Sequence, residues 1–427
     1  MKLVNKLLKG DMVIWIIFMF LCVISLVEVF SATSTLAYKQ ASPWVPIRRH
    51  AMILAFGVCL IVFLHHVPYK KIAGFLVLLF PISIILLILT PILGQEINGA
   101  GRWLWGIQPS ELAKLASIGY MAYWLSKKDT VPPDKIFWWI LGGVGLACVL
   151  IFPENFSTAA MLFGFCYLMM FIGQVAIKKL LILAGIVVLF GATILAVLFI
   201  TPEDTMHKYL DRGLTWKYRI QEHLHGEDKI DPETYEINDK NYQVSHAKIA
   251  IARGGVIGNM PGHGQQRDFL PQAYSDFIYA IIIEEMGYAG GVFVLMLYIM
   301  LLVRVGIIAR KCDKVYAKYL VIGCGLLVGI QALANMAVAV NLIPVTGQPL
   351  PLVSRGGTST VISCIYFGII LSVSRFGAHM GEEEDDEVLE NEENNNSSEL
   401  PEGEIAIQES PMATVQENVE IITETKV

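Results

Sequence analysis

The chain has 427 residues, of which 55% are hydrophobic and only 16% charged, with a mean hydropathy of +0.56. Soluble proteins carry about 25% charged residues, so that class is excluded. The net charge of -6 averages two unlike regions: residues 380–427 hold sixteen Asp and Glu against Lys426 alone, and the rest holds 31 basic against 22 acidic residues, a net of +9.

The apolar residues fall in blocks of about 20, the length that spans hydrocarbon. Ten spans are predicted, near 12–32, 50–67, 73–94, 111–126, 136–152, 157–176, 180–200, 277–302, 318–342 and 358–375. The first is too long for the apolar core of a cleavable signal, and Ser31-Ala32-Thr33 is a weak cleavage site. Sixteen Lys and Arg lie on one set of connections, against Lys39, Arg48, Arg49, Arg102 and Arg355 on the opposite short ones. By that bias both termini face the cytoplasm, and loops 33–49, 95–110, 201–276 and 343–357 face outward. The expected fold is an all-α polytopic membrane protein with one large extracytoplasmic loop, 201–276. The membrane domain covers 1–376, and 377–427 forms an acidic cytoplasmic tail. The tail, with Glu382 to Glu387 and Asn394-Asn395-Asn396-Ser397-Ser398, has too little apolar surface to offset its ordering entropy and is expected to be disordered. It serves either as a solubilising end or as a tether for a partner protein. The seven cysteines are scattered without CxxC, so neither a disulfide framework nor a zinc site is expected. No nucleic-acid partner is expected.

Within the large loop, Glu222-His223-Leu224-His225 reads as solvated and irregular, without the further ligands a metal needs. Tyr242 to Gly255 has apolar residues spaced for a short amphipathic helix. Gly254, Gly255, Gly258, Gly262 and Gly264 follow, allowing tight turns and close backbone approach, and no GKS or GKT makes them a P-loop. Asp276 ends the loop where the next span begins. A carboxylate there either caps the helix or, partly desolvated, takes a proton.

Charge inside a span needs a reason. Glu111 and Lys114, in Gln108-Pro109-Ser110-Glu111-Leu112-Ala113-Lys114, share a helix face at a spacing of three. They read either as a structural ion pair or as the wall of a polar outer cavity with Lys114 available for phosphate. Glu28 lies about 25 Å along the first span and is expected at the outer interface in a structural role. Gln331, Asn335 and Asn341 precede a Pro- and Gly-rich outer segment from Pro344 to Gly357, with Gly347, Pro351, Ser354, Arg355 and Gly356. Such broken backbone is tolerated at membrane depth only inside protein or against a water-filled cavity.

Together these stretches resemble the shape, elongation, division and sporulation (SEDS) family of bacterial membrane proteins. The resemblance rests on Arg102-Trp103, Gln108 to Lys114, Tyr242-Gln243, Gly254-Gly255, Leu270 to Ala280, Glu284-Glu285-Met286-Gly287 and Pro344 to Gly357, and covers about 10–375. It implies a ten-span fold and a glycosyltransferase that polymerises lipid II, a disaccharide-pentapeptide on undecaprenyl pyrophosphate, into β-1,4 glycan. It assigns the essential base to Asp276. The expected substrate-binding set is Lys114, Glu111, Arg102, Gln108, Arg253 and Ser354, with Arg355 added on its own chemistry, since beside Gly356-Gly357 it can reach an anionic head group. Pro344, Gly347, Pro351, Gly356, Gly357, Gly254 and Gly255 are implied as structural. The leaving pyrophosphate needs cations, from Lys114, Arg102, Arg253 and Arg355 in falling order of expectation, or from a divalent metal such as Mg or Mn. Gly10-Asp11 and the long tail look more like the family's division members than its elongation members. That implies a septal site in the inner membrane, a single-span class B penicillin-binding protein transpeptidase as partner, and other divisome membrane proteins nearby. The chain departs from the motifs at Gln272 for Glu, Tyr274 for His and Arg355 for Tyr, and also at Asn155 and Ser157, so roles of the family's residues there do not carry over. The rival readings are a lipid II flippase, which needs polar lining through the whole membrane, and a scaffold without chemistry.

Overall fold

The computed structural model describes residues 9–32, 44–97, 100–201, 211–225, 237, 241–271 and 273–377, all within one unit, Met1–Met380. The acidic tail and Gln272 lie outside the described residues. In chain order the elements are α1 (Met12–Ala32), α2 (Trp44–Leu64), α3 (Tyr69–Leu93), β1 (Gln95–Ile97), β2 (Ala100–Trp103), α4 (Pro109–Ser126), α5 (Pro133–Ile151), α6 (Phe156–Ile172) and α7 (Ile177–Ile200). Then come α8 (Asp211–His225), α9 (Tyr242–Gly254), α10 (Gln266–Phe269), α11 (Ile278–Arg310), α12 (Val315–Ala339) and α13 (Gly357–Phe376).

Among the described residues ten long helices therefore stand where ten spans are predicted, and the chain is a multi-pass membrane protein of mostly helical fold. Among the described residues eight are long and apolar enough to cross a membrane on that ground alone. The other two are α4, which carries Glu111 and Lys114, and α6, which has 17 residues. Helix starts follow local chemistry. Asp11 accepts the Val13 N–H at 3.0 Å to open α1, proline occupies the first turn of α4 and α5, and Asn155 accepts the Thr158 N–H at 3.1 Å to open α6.

Two-thirds of the most apolar stretch of α12 and of α13 is buried, against 11% of that of α7, and 13 of the 18 residues of α4 are buried, so α4, α12 and α13 lie inside the bundle and α7 faces outward. Glycines let neighbours close on α12. A Cβ at Gly323, Gly325 or Gly329 would come within 2.7 Å of Ile118, Val305 or Leu302 respectively. With no hydrophobic drive between helices in lipid, such close approach is what holds them together. At the basic end, Arg304 pairs with Asp11 at 2.6 Å and Ser372 donates to the Val67 carbonyl at 2.6 Å, tying α1, α11, α13 and the α2–α3 turn.

The fold differs from expectation in three places. The loop 95–110 holds an antiparallel hairpin, β1 with β2, so the chain is not wholly helical. The stretch read as irregular up to His225 is the helix α8. Its Leu214 packs on Leu198 of α7, and Trp216 rests against Phe152 and Phe156 at 5.5 and 5.2 Å. Glu28 is not at an interface with water; it is fully buried, and neither carboxylate oxygen has a hydrogen-bond partner among the described residues.

Candidate active site

The site begins with a break in α11. The apolar run 278–310 reads as one helix, but Gly287 takes φ of +70° and splits it. The glycine-rich loop after α9 supplies the hydrogen bonds lost there. The Tyr288 N–H donates to the Gly255 carbonyl at 2.8 Å, and the Asn259 N–H donates to the Glu284 carbonyl at 3.0 Å. Gly254, Gly258 and Gly287 are required because a Cβ at any of them would overlap the facing main chain. Glu284 and Glu285, both fully buried, hold the rest of the loop by accepting N–H groups. Glu284 takes those of Gln265 and Gln266 at 2.9 and 3.2 Å, and Glu285 takes those of Gly262 and Gly264 at 3.0 and 3.3 Å. Ser31 of α1 donates to Glu285 at 2.5 Å, and Arg267 lies 3.5 Å from the same carboxylate. Glu285 is thus paired and hydrogen-bonded, and Glu284 is hydrogen-bonded to the main chain, the condition under which buried polar groups are tolerated.

This frame delivers residues 274–276 to the end of α12 and the start of α13. The Asn335 side chain donates to the Asp276 carbonyl at 2.9 Å, Ser354 donates to the Ser275 carbonyl at 2.6 Å, and the Arg355 N–H donates to the Tyr274 carbonyl at 2.8 Å. Asn335 also donates to the Gln348 carbonyl at 2.7 Å, and the Gln348 side chain reaches Thr158 of α6 at 2.8 Å. The N-cap position of α11 is Phe277, so Asp276 stands one residue before the cap. Its carboxylate is half-buried and accepts from Ser275 Oγ at 2.9 Å. Gly347, at φ of +67°, leaves space beside it, where a Cβ would lie 3.6 Å from Oδ2.

Asp276 lines a cavity of about 430 Å³. Glu111, Glu154, Arg219 and Arg355 share the lining, with Gln108, Gly347, Gly356 and Gly357. Buried hydroxyl and amide oxygens of Thr346, Thr358 and Gln348 lack partners among the described residues and belong to side chains lining the same space. A polar ligand or water satisfies such atoms. Arg219 of α8 donates to the Val345 carbonyl at 2.9 Å and fixes that helix over the cavity.

The expected binding residues do not all meet. Gln108, Glu111 and Arg355 line the cavity with Asp276. Lys114 does not: it is fully buried, with Nζ 2.6 Å from Glu111 Oε1 in an ion pair rather than an aligned hydrogen bond. Ser354 is also buried; its hydroxyl accepts the Leu350 N–H at 2.8 Å and is a structural tie. Arg253 is exposed on α9, donates to Gln265 and stays outside the cavity lining. Arg102 lies on β2, and its side chain is outside the described residues. Pro344 and Pro351 sit in the outer segment, where the Pro351 carbonyl accepts from Tyr298 at 2.6 Å. Glu154 and Arg219 were not anticipated as lining groups.

Arg355 lies 5.3 Å from the Tyr274 ring centre. Burial draws its pKa below the usual arginine value, Tyr274 opposes the shift and the Arg49 cation adds to it. An arginine keeps its charge through such a shift.

A family profile described as cell cycle protein, spanning FtsW, RodA and SpoVE, matches residues 11–379. The chain belongs to this family. Among relatives, it is similar to the probable peptidoglycan glycosyltransferase FtsW of Nitrosococcus halophilus, 31% identical over 332 residues, which cover 75% of this chain and 79% of that one. It is also similar to stage V sporulation protein E of Bacillus subtilis, 30% identical over 386 residues, 88% of this chain and 100% of the relative. Among solved structures it resembles the rod shape determining protein RodA of Thermus thermophilus, with a TM-score of 0.57 and 22% identity, covering 87% of this chain and 99% of that one. A chain from a solved peptidoglycan synthase complex gives a TM-score of 0.65 at 22% identity, covering 86% and 98%. The family expected from the motifs is thus the family observed, and the ten-helix fold is its fold.

Proposed function

We propose that the chain is a peptidoglycan glycosyltransferase that polymerises lipid II, with Asp276 as the general base. The observation that carries the reading is the half-buried Asp276 carboxylate lining a cavity shared with Arg355 and Arg219. Asp276 takes the proton of the acceptor sugar's 4-hydroxyl as that oxygen bonds to the donor's anomeric carbon. The bond from that carbon to the diphosphate breaks, and its electron pair leaves on the phosphate oxygen. A guanidinium stabilises that charge, and Arg355 is better placed for this than the buried Lys114. Among the described residues no three His, Cys, Asp or Glu come together as a metal-ligand set. Among the residues lining the cavity, Arg355 and Arg219 are the cations placed to take that charge.

The lining of the cavity comes from the β2–α4 entry, the α5–α6 turn, α8, 275–276 and 346–359, all at one end of the bundle. That gathering favours the enzyme over a flippase lined from side to side. The relatives named FtsW support a septal role in the inner membrane, with a single-span class B transpeptidase and other divisome membrane proteins as partners. The deciding measurement is glycan synthesis from lipid II by the purified chain with its transpeptidase. Asp276→Asn is expected to stay folded and make no glycan; synthesis at the wild-type rate would overturn the assignment.

A further inference from the structure

The cavity beside Asp276 has two kinds of wall. The connection from α12 to α13 supplies polar groups, among them Thr346, Gln348 and Arg355, and Asp276 joins them. β2, α6 and α8 supply aromatic rings instead, those of Trp103, Phe156 and Trp216. A carboxylate and a guanidinium answer to a proton and an anion. They give no reason for aromatic rings to face a polar space, where contact with water is unfavourable. A ligand with both polar and apolar surface accounts for both walls.

We propose that Trp216 is the platform on which a sugar ring of the substrate stacks, a reading that rests on the glycosyltransferase assignment. The indole is braced before any ligand arrives. Phe152 meets it edge to face, at 5.5 Å between centroids and 76° between planes, and Phe156 lies at 5.2 Å and 42°. Phe152 in turn reaches Phe190 of α7 at 6.4 Å. Helix α8 is fixed before and after Trp216: Leu214 packs on Leu198, and Arg219 donates to the Val345 carbonyl at 2.9 Å. A ring so held loses little freedom on binding. It is nonetheless only half-buried and lines the cavity, so part of the ring stays open to a ligand.

A pyranose with equatorial hydroxyls has a polar rim and two faces made of C–H groups. Such a face fits the electron-rich face of an indole, while the rim needs hydrogen-bonding partners. Trp216 and Arg219 stand three apart on α8, so they share a helix face, and both line the cavity. Glu154 lines it from the α5–α6 turn. A sugar stacked on Trp216 therefore has a guanidinium and a carboxyl group in the same space as its rim. It also shares that space with Asp276, the proposed base.

The test compares two ligands that differ only in sugar: undecaprenyl diphosphate, and the same lipid carrying the disaccharide without its peptide. Binding of each to the full chain in detergent is measured by titration calorimetry, with thermal unfolding to verify each variant. The wild type is expected to bind the disaccharide form more tightly. Trp216→Leu should weaken that binding about five- to tenfold and change binding of the bare diphosphate by less than about twofold. Trp216→Phe keeps a ring against Phe152 and Phe156 and should recover part of the loss. It also serves if the leucine variant unfolds, since its own smaller loss must again fall on the disaccharide form alone. Equal losses for both ligands would mean that Trp216 only packs α8 against the bundle, and no loss for either would mean that the sugar rests elsewhere; each result overturns the platform. Glycan synthesis is assayed separately on the same preparations. A folded wild-type chain that binds the disaccharide through Trp216 but makes no glycan would count against the enzyme reading and leave the platform standing.

Discussion

Lys114 shows how a charge can serve a site it does not touch. Its ammonium is fully buried and meets Glu111, whose other face lines the cavity. Removing one member of a buried pair strands the other, at a cost of about 3–5 kcal/mol. Lys114→Met is expected to destabilise by about that amount in chemical unfolding, whereas the double variant Glu111→Gln with Lys114→Met should recover most of it. An additive pair of losses would show that the two residues act independently. A spacing of three on a helix revealed the pairing in the sequence, but not the depth of Lys114, which depends on which helices surround α4. Asp276 was legible because it stands where a polar loop meets an apolar run. Glu154 and Arg219 were not, because a single charge in a loop carries no periodic signal and only the folded chain brings it to the cavity.

At the level of elements, hydropathy located every long helix and missed how one of them is built. The run 278–310 is apolar almost throughout, and the signs of its break were Glu284 and Glu285, charges that a continuous lipid-facing helix would not carry. Gly287→Ala places a Cβ into the Val256 main chain at φ of +70°. It is expected to cost about 1–3 kcal/mol and to speed proteolysis of loop 255–270, read by unfolding and limited digestion. A variant as stable and as resistant as the wild type would mean the loop does not depend on the break. Helix α8 escaped notice for a different reason. Its Leu214, Trp216, Tyr218 and Ile220 alternate, a pattern closer to a strand than to a helix face. The hairpin had a cue in Asn98-Gly99, the pair that favours tight two-residue turns, within a loop otherwise read only for its charge.

For the molecule as a whole, the catalytic machinery assigned above lies within the described residues of Met1–Met380. Residues 381–427 carry the acidic charge and little that is apolar. Ending the chain at residue 380 is therefore expected to leave glycan synthesis by the purified protein within about twofold of the full chain. A larger loss would give the tail a part in the reaction itself.

The carbonyls of Tyr274, Ser275 and Asp276 are each gripped by a group from the α12–α13 half of the bundle. Those grips tie the backbone beneath the carboxylate to α12 and to the segment that leads into α13. On the proposed assignment, the aim of the base is therefore set by backbone ties as much as by the cavity that it faces.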